Sequence, residues 1–387
     1  MARRVWLAGH RWLALGLGGI LILSGLTGAL LVVARPLDRA LHPALFVAEG
    51  DPAARPQAWE SLRRTLAAEF GPRASFTFGP PRAAGETLQV RVRAGQWRGT
   101  LYLDPASGRE QGRRGEQEGV VAIVHTLHSA LMLGQTGKAI LAVTALAYLV
   151  LMISGLVVWW PRKWPPSLRI AFDKGVLRAL FDLHRNGGAV LALLLAVSIA
   201  TGAYLAWRPI GNWITLAAGE QRVLAPRLPA APERLATPKP SAATGGGPAS
   251  ASLDAMAAAA LAAFPEGRIG FILYTPNLDR PMAIRLRVPD DPHPNGRSTV
   301  WLDPRDGRVL AAQRWDALDA GTRINSVVYP LHTGELFGAP GEAIVALAGL
   351  ALGGVGISGI WLWWRRRAVK QRAVRTAAGR PGAATPP

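Results

Sequence analysis

The chain has no cysteine among its 387 residues. That excludes thiolate-bound iron–sulfur clusters, thiolate haem ligation, thiol catalysis and disulfides. Charge is scarce, at 18% of residues, and negative charge is scarcest: 25 Asp and Glu stand against 44 Lys and Arg, a net charge of +19. No G-x-G-x-x-G follows a strand pattern, and no G-x-x-x-x-G-K-[ST] occurs; Gly16, Gly18 and Gly19 lie inside an apolar helix pattern. Nicotinamide and ATP chemistry therefore have no visible home. Apolar residues are abundant, at 50%. Four stretches carry no charge at all: 12–34, 139–161, 186–207 and 343–364. Each reaches the roughly 20 residues needed to cross a hydrocarbon core. This pattern predicts a four-helix membrane protein. The first stretch follows Arg3, Arg4 and Arg11 like a signal peptide, but it is too long for a signal h-region and reads as a retained anchor.

The basic excess predicts the orientation. Residues 1–11, 162–185 and 365–387 hold 16 Lys and Arg against only Asp173 and Asp182. The positive-inside rule assigns these stretches to the cytoplasm. The expected order is a cytoplasmic N-terminus with the first span (1–34), a first periplasmic lobe with an interfacial histidine segment (35–138) and a second span (139–161). A cytoplasmic loop (162–185), a third span (186–207), a linker with a second periplasmic lobe (208–342), a fourth span (343–364) and a basic cytoplasmic tail (365–387) follow. Because the charges flank spans, nucleic acid is not expected as a partner.

The chain also overlays on itself. Residues 127–163 set over 331–367 give 15 identities in 37, with His128 on His332, Gly134 on Gly338 and Gly137 on Gly341. Ser154-Gly155 falls on Ser358-Gly359 and Trp159-Trp160 on Trp363-Trp364. A second overlay sets 10–29 on 184–203, with His10-Arg11 on His184-Arg185 and Thr27-Gly28 on Thr201-Gly202. Two spans per half preserve orientation, so a parallel repeat is expected. The glycines read as helix-packing positions, and the tryptophans as an interfacial belt.

Each outward segment predicts one helix against a short antiparallel sheet. The first has an amphipathic helix at 57–70 and extended runs at 75–78, 87–93 and 99–103. The second has a helix at 253–264 and runs at 269–274, 282–288 and 298–302. Both end in Leu-Asp-Pro-x-x-Gly-Arg, at 103–109 and 302–308. Residues 225–251 read as a flexible linker rich in Pro, Ala, Gly and Ser.

These features together resemble the PepSY-associated transmembrane helix family: four spans, His-Arg openings, Leu-His-x5-Gly-x2-Gly segments, and two α+β lobes ending in Leu-Asp-Pro-x-x-Gly. The resemblance implies an inner-membrane protein of four transmembrane helices in two parallel repeats with two periplasmic PepSY-like lobes. It also implies iron chemistry, since the best-understood members are ferric-siderophore reductases with two b-type haems held by histidines. Some relatives append a flavin and nicotinamide reductase module, and none is expected here.

Seven histidines occur. His42, before Pro43, and His293, in an Asp-Pro-His-Pro-Asn-Gly turn, read as solvated loop residues. The other five, His10, His125, His128, His184 and His332, lie at or near span ends. A b-type haem needs two neutral imidazoles facing each other from separate helices. The overlays offer two such pairs: His10 with His184 at the cytoplasmic side, and His128 with His332 at the periplasmic side. His125 lies three residues from His128 and is a second candidate for the outer site. Arg11 and Arg185 are candidates for haem propionates. The competing readings are interfacial histidines bonded to lipid headgroups or backbone, and a zinc site of His125, His128 and His332 with Glu335 in support.

The sequence thus predicts a haem oxidoreductase that reduces a ferric siderophore or other ferric chelate, with quinol as donor and lipid around the spans. The alternative is a non-enzymatic PepSY binding or regulatory protein. A transporter is disfavoured, because the spans hold no charged residue to couple ions.

Overall fold

The computed structural model describes residues 2–229 and 251–378. Most of the expected linker at 225–251, and Arg380 of the basic tail, therefore lie outside the described residues. The main elements run α1 (Ala2–Leu41), α2 (Trp59–Phe70), β1 (Ser75–Gly79), β2 (Leu88–Arg93), β3 (Arg98–Leu103), β4 (Glu110–Gly115), α3 (Val120–Ala130) and α4 (Gly134–Trp159). They continue with α5 (Val176–Asp182), α6 (Ala192–Ala206), α7 (Leu253–Ala263), β5 (Arg268–Tyr274), β6 (Met282–Arg287), β7 (Ser298–Leu302), β8 (Val309–Gln313), α8 (Ala320–Thr333) and α9 (Gly338–Ala378). The chain divides into a helical unit (Met1–Val33, Val124–Trp207, Gly338–Pro387) and a sheet unit (Ala34–Ile123, Arg208–Phe337).

In the helical unit, three helices among the described residues are long and apolar enough to cross a membrane: Arg3–Leu41, Gly134–Trp159 and Glu335–Arg372. The first and last extend past their uncharged stretches at both ends, because terminal Arg and Lys can continue a helix with their head groups in water, whereas the second begins before its stretch and ends within it at Trp159. The third expected span is different. Val176–Val190 and Ala192–Ala206 meet at a 65° bend, giving a fourth span only if the two count as one. Residues Leu183–Gly187 within this segment form a π-helical turn. The adjacent Gly187-Gly188 pair supplies no side chain to stiffen the ladder, and glycine pairs and π-turns are where helices bend.

The helical core gathers Leu21, Tyr148, Leu151, Leu195, Ala348 and Leu352. Backbones approach closely where α1 meets α9. A Cβ on Gly25 would lie 2.7 Å from the Gly349 carbonyl oxygen, and one on Gly349 would lie 2.5 Å from that of Gly25. Large apolar side chains remain exposed along the outer faces, among them Val143, Leu146 and Val150 of α4 and Ile344, Leu347 and Leu350 of α9. Lipid covers such faces, and small residues then carry the helix contacts.

The sheet unit corrects one expectation. Instead of two separate lobes, it contains one eight-stranded antiparallel sheet of order β4-β3-β2-β1-β5-β6-β7-β8. The two halves join where β1 pairs with β5, Phe76 opposite Tyr274 and Phe78 opposite Ile272. Strand alternation does the sorting: Leu88, Val90 and Val92 of β2 are buried while Gln89, Arg91 and Arg93 point the other way. Ile272, Ile284, Val300 and Leu302 extend the same apolar face, against Leu62 and Leu66 of α2 and Met256 and Ala260 of α7. Neither half has an edge left open at the join, which removes a pairing liability.

Both Leu-Asp-Pro-x-x-Gly-Arg segments make hairpin turns, linking β3 to β4 and β7 to β8. The Asp104 N–H donates to the Arg109 carbonyl, and the Asp303 N–H to that of Arg308. The Asp104 carboxylate accepts from the Ser107 N–H at 2.8 Å and the Gly50 N–H at 2.7 Å.

The helices α2 and α7 cap each other. Asp254 accepts the Trp59 and Glu60 N–H groups at 2.8 and 3.2 Å, and Glu60 accepts the Leu253 N–H at 3.2 Å. Neither helix has a cap from its own N-cap residue, Ala58 or Ser252, so orphan donors are satisfied across the sheet's two halves. Burial raises the Glu60 carboxyl, but hydrogen bonds from Arg63, Leu253 and Arg64 outweigh it and bring it from 4.5 to about 2. A depressed carboxyl stabilises the fold above its unfolded value and loses that contribution as pH falls through the folded one. The melting temperature of the sheet unit is therefore expected to fall between pH 4.5 and about 2. Circular dichroism melts of Glu60→Gln should begin lower and show a shallower acid slope; an equal slope in both proteins contradicts the assignment.

Candidate functional site

His10 of α1 and His184 of the π-turn converge within the helical unit, their ring centres 6.3 Å apart and their planes at 77°. The His10 Nδ1 lies 3.1 Å from the Leu151 carbonyl oxygen and 3.0 Å from the Ser154 hydroxyl of α4. The His184 Nδ1 lies 2.9 Å from the Val355 carbonyl oxygen of α9, with the Ser358 hydroxyl at 3.4 Å. Leu151 overlays on Val355, and Ser154 on Ser358, in the alignment of 127–163 with 331–367. Each histidine thus rests on matching backbone.

A carbonyl oxygen only accepts, so Nδ1 carries the proton in both rings and Nε2 carries the lone pair. This is the tautomer that a second-sphere carbonyl sets for a metal-binding imidazole. Room for the rings comes from two glycines. A Cβ on Gly155 would lie 3.1 Å from the His10 Cε1, and one on Gly359 would lie 2.8 Å from the His184 Cε1.

The spacing can be compared with a ligand pair. With a metal–imidazole bond of about 2.0 Å and the ring centre about 1.2 Å behind the nitrogen, two imidazoles flanking one ion stand roughly 6.4 Å apart. The observed separation fits. A cavity of about 560 Å³ adjoins the pair, within the size range of cofactor pockets. Its walls are apolar with a basic portion that includes Arg3, Arg11, Arg185, Arg366 and Lys370. Trp159 also lines it, and its buried indole N–H has no partner among the described residues. An apolar slot with cationic groups and an unused N–H donor suits a flat apolar group bearing carboxylates. Reading Trp159 as belt alone missed this donor; its place four residues after the Ser-Gly pair was the available signal.

His128 follows the same pattern against α1. Its Nδ1 lies 3.0 Å from the Ser24 carbonyl oxygen and 3.2 Å from the Thr27 hydroxyl. A Cβ on Gly28 would lie 3.0 Å from its Cε1. His125, one turn earlier on α3, is exposed where His128 is half-buried. His332 lies on α8 in the sheet unit, whereas His128 belongs to the helical unit.

The zinc reading is corrected. Among the described residues, no group of three or more His, Asp or Glu side chains could hold a metal ion. Glu335 instead faces Arg35 at 3.7 Å and Arg82 at 3.8 Å, the pairing a carboxylate finds in a basic chain. His293 is also corrected: it is buried, at 8% exposure, and stacks on Tyr329 with ring centres 5.0 Å apart. Its turn folds back onto the sheet, which the local sequence could not reveal. His42 is half-exposed and pairs with Asp38 at 2.8 Å.

One family model, described as PepSY-associated TM region, matches residues 7–366. No curated protein matches the chain.

Proposed function

The chain belongs to the PepSY-associated TM region family, and on that premise we propose that it is a haem-containing oxidoreductase of a bacterial inner membrane that reduces a periplasmic ferric chelate. The observation that carries this reading is the His10–His184 pair, 6.3 Å between ring centres, with both Nδ1 atoms spent on backbone carbonyls. Haem b bound between these imidazoles supplies one-electron chemistry. His10 and His184 would hold it through their Nε2 atoms. The Leu151 and Val355 carbonyls hold the two rings in register, and Ser154 and Ser358 secure those carbonyls' surroundings. Arg11, Arg185 and the Trp159 N–H are the groups for its propionates. The apolar walls exclude water from the iron's surroundings.

The repeat extends the reading to a second haem on His128, which carries the same anchored tautomer. Four spans, with the bent pair counted as one, make the two parallel halves of this reading, and the single eight-stranded sheet joins their two PepSY-like halves. Quinol is the proposed donor. Taking up one electron turns Fe(III) into Fe(II), which hard oxygen chelators hold less tightly, so reduction releases iron.

A visible spectrum of the detergent-purified protein, oxidised and dithionite-reduced, tests the reading directly. The expected result is a low-spin b-type spectrum with two haems per chain. A colourless protein would instead favour a membrane-anchored PepSY binding protein.

The orientation has its own test. Arg3, Arg11, Arg366 and Lys370 all line the cavity, and the positive-inside rule assigns the basic stretches that carry them to the cytoplasm. A reporter inserted after Ala242 is then expected to be active only if it functions outside the cytoplasm. Activity of a cytoplasm-only reporter at that position reverses the orientation.

A further inference from the structure

The sheet unit contains a histidine of opposite chemistry. The segment between β6 and β7 is folded over by Asp291, whose carboxylate accepts the His293 N–H at 2.9 Å and the Arg297 N–H at 2.6 Å. Gly296 there has φ +68°, and a Cβ on it would lie 2.1 Å from the Leu286 carbonyl oxygen. The turn is thereby pinned to β6. The Asn295 N–H donates to His293 Nδ1 at 3.2 Å, so the ring proton sits on Nε2. No acceptor among the described residues takes that N–H, and the residue as a whole is only 8% exposed.

The surroundings of this ring are cationic. Burial, with the guanidinium groups of Arg297, Arg285, Arg82 and Arg287, brings its protonation down to about 3, so the imidazole is a neutral donor at neutral pH. Arg285 stands on β6 opposite Phe271 of β5 and Thr299 of β7. Burial and the nearby Arg208 make its own charge less favourable, and no carboxylate among the described residues pairs with it. Arg82 reaches the turn through the Asn295 side-chain oxygen at 2.5 Å. The Asp291 carboxylate is turned to backbone N–H groups, and Glu335 offsets only Arg82 and Arg35. Positive charge is therefore in excess around an unused N–H. Guanidinium forks match carboxylates, and several forks together match a ligand bearing several carboxylates.

We propose that this corner of the sheet unit binds the carboxylates of an anionic, carboxylate-rich metal chelate, with the His293 Nε2–H and the guanidinium groups of Arg285 and Arg82 as donors. The inference deepens the ferric-chelate reading and rests on it for the metal, while the anion site stands on its own residues. It sets the substrate class as hydroxycarboxylate chelates rather than neutral hydroxamates.

The test uses the full chain in detergent and gallium(III) citrate, which binds like the ferric complex but cannot be reduced. Calorimetry is expected to show binding to the native protein, about tenfold or more weaker in Arg285→Gln and in His293→Phe, since a hydrogen bond to a charged group is at stake. His293→Phe keeps a ring to stack on Tyr329 and removes the Nε2 donor together with the Nδ1 acceptor of the Asn295 N–H. Should it fail to fold by near-ultraviolet circular dichroism, Arg82→Gln decides, because that side chain is 56% exposed. Unchanged affinity in the folded variants overturns the site. Equal affinity for a neutral gallium trihydroxamate, or for inorganic phosphate, overturns the ligand class. Haem is counted in the same samples. Full haem without gallium citrate binding refutes this site alone, whereas variant-sensitive binding to a colourless protein supports the site and refutes the reductase reading.

Discussion

Replacing His184 by alanine is expected to remove one of the two haems per chain and the low-spin signal that belongs to it. A haem without one axial imidazole is five-coordinate and weakly held. The remaining His10 still donates to the Leu151 carbonyl oxygen at 3.1 Å, so the fold of the pocket has no reason to collapse. His10→Ala is expected to give the same loss, because both rings serve one iron. A subtler variant separates ligation from mere packing. In Gly359→Ala the new methyl would meet the His184 Cε1 at 2.8 Å, forcing the ring off its carbonyl while leaving the imidazole present. Loss of the low-spin spectrum in Gly359→Ala, at unchanged helix content, is the signature of a displaced ligand. Full haem content with an unaltered spectrum in His184→Ala rules this pair out.

The second large effect concerns the helices themselves. Gly349→Leu is expected to prevent α9 from seating against α1, lowering the melting temperature in detergent by about 10 °C or more, or abolishing accumulation in the membrane. Overpacking costs typically 1–3 kcal/mol, and more where the obstacle is backbone that cannot move aside. Here the obstacle is the Gly25 carbonyl oxygen at 2.5 Å, with the Ala29 N and Cβ each at 3.1 Å. No rotamer avoids a clash made by the Cβ itself. Gly354 on the same helix provides the control, since nothing lies within 4 Å of a Cβ there. Gly354→Ala should be neutral or slightly stabilising, because alanine is the better helix former. Equal stability of Gly349→Leu and the native protein would mean that this contact does not hold the unit together.

Much of this was legible in the chain. Uncharged runs of spanning length mark long helices because an unpaired charge in hydrocarbon is costly, and this needs no knowledge of neighbours. Alternating residues such as Leu88, Val90 and Val92 mark strands by the same local logic. The Leu-Asp-Pro-x-x-Gly-Arg segments mark hairpin turns because a short acidic side chain bonds its own following N–H groups. The overlay also put His10 beside His184 as candidates, and Ser154-Gly155 beside Ser358-Gly359, although those glycines read only as packing positions.

What the sequence determined by itself was therefore periodic or local: where apolar runs lie, which strand residues face one side, and which residue types repeat. The tertiary structure alone decided the contacts between distant segments. It joined β1 to β5 into one sheet, bent the third apolar segment between Val190 and Ala192 and set the proton of His10 through a carbonyl 141 residues away. It also buried His293 against Tyr329 and brought Arg82 to its turn through the Asn295 side-chain oxygen. Such pairings leave no periodic trace, because the free energy of each depends on which surfaces meet once the chain has closed, and a window of neighbouring residues does not contain the partner.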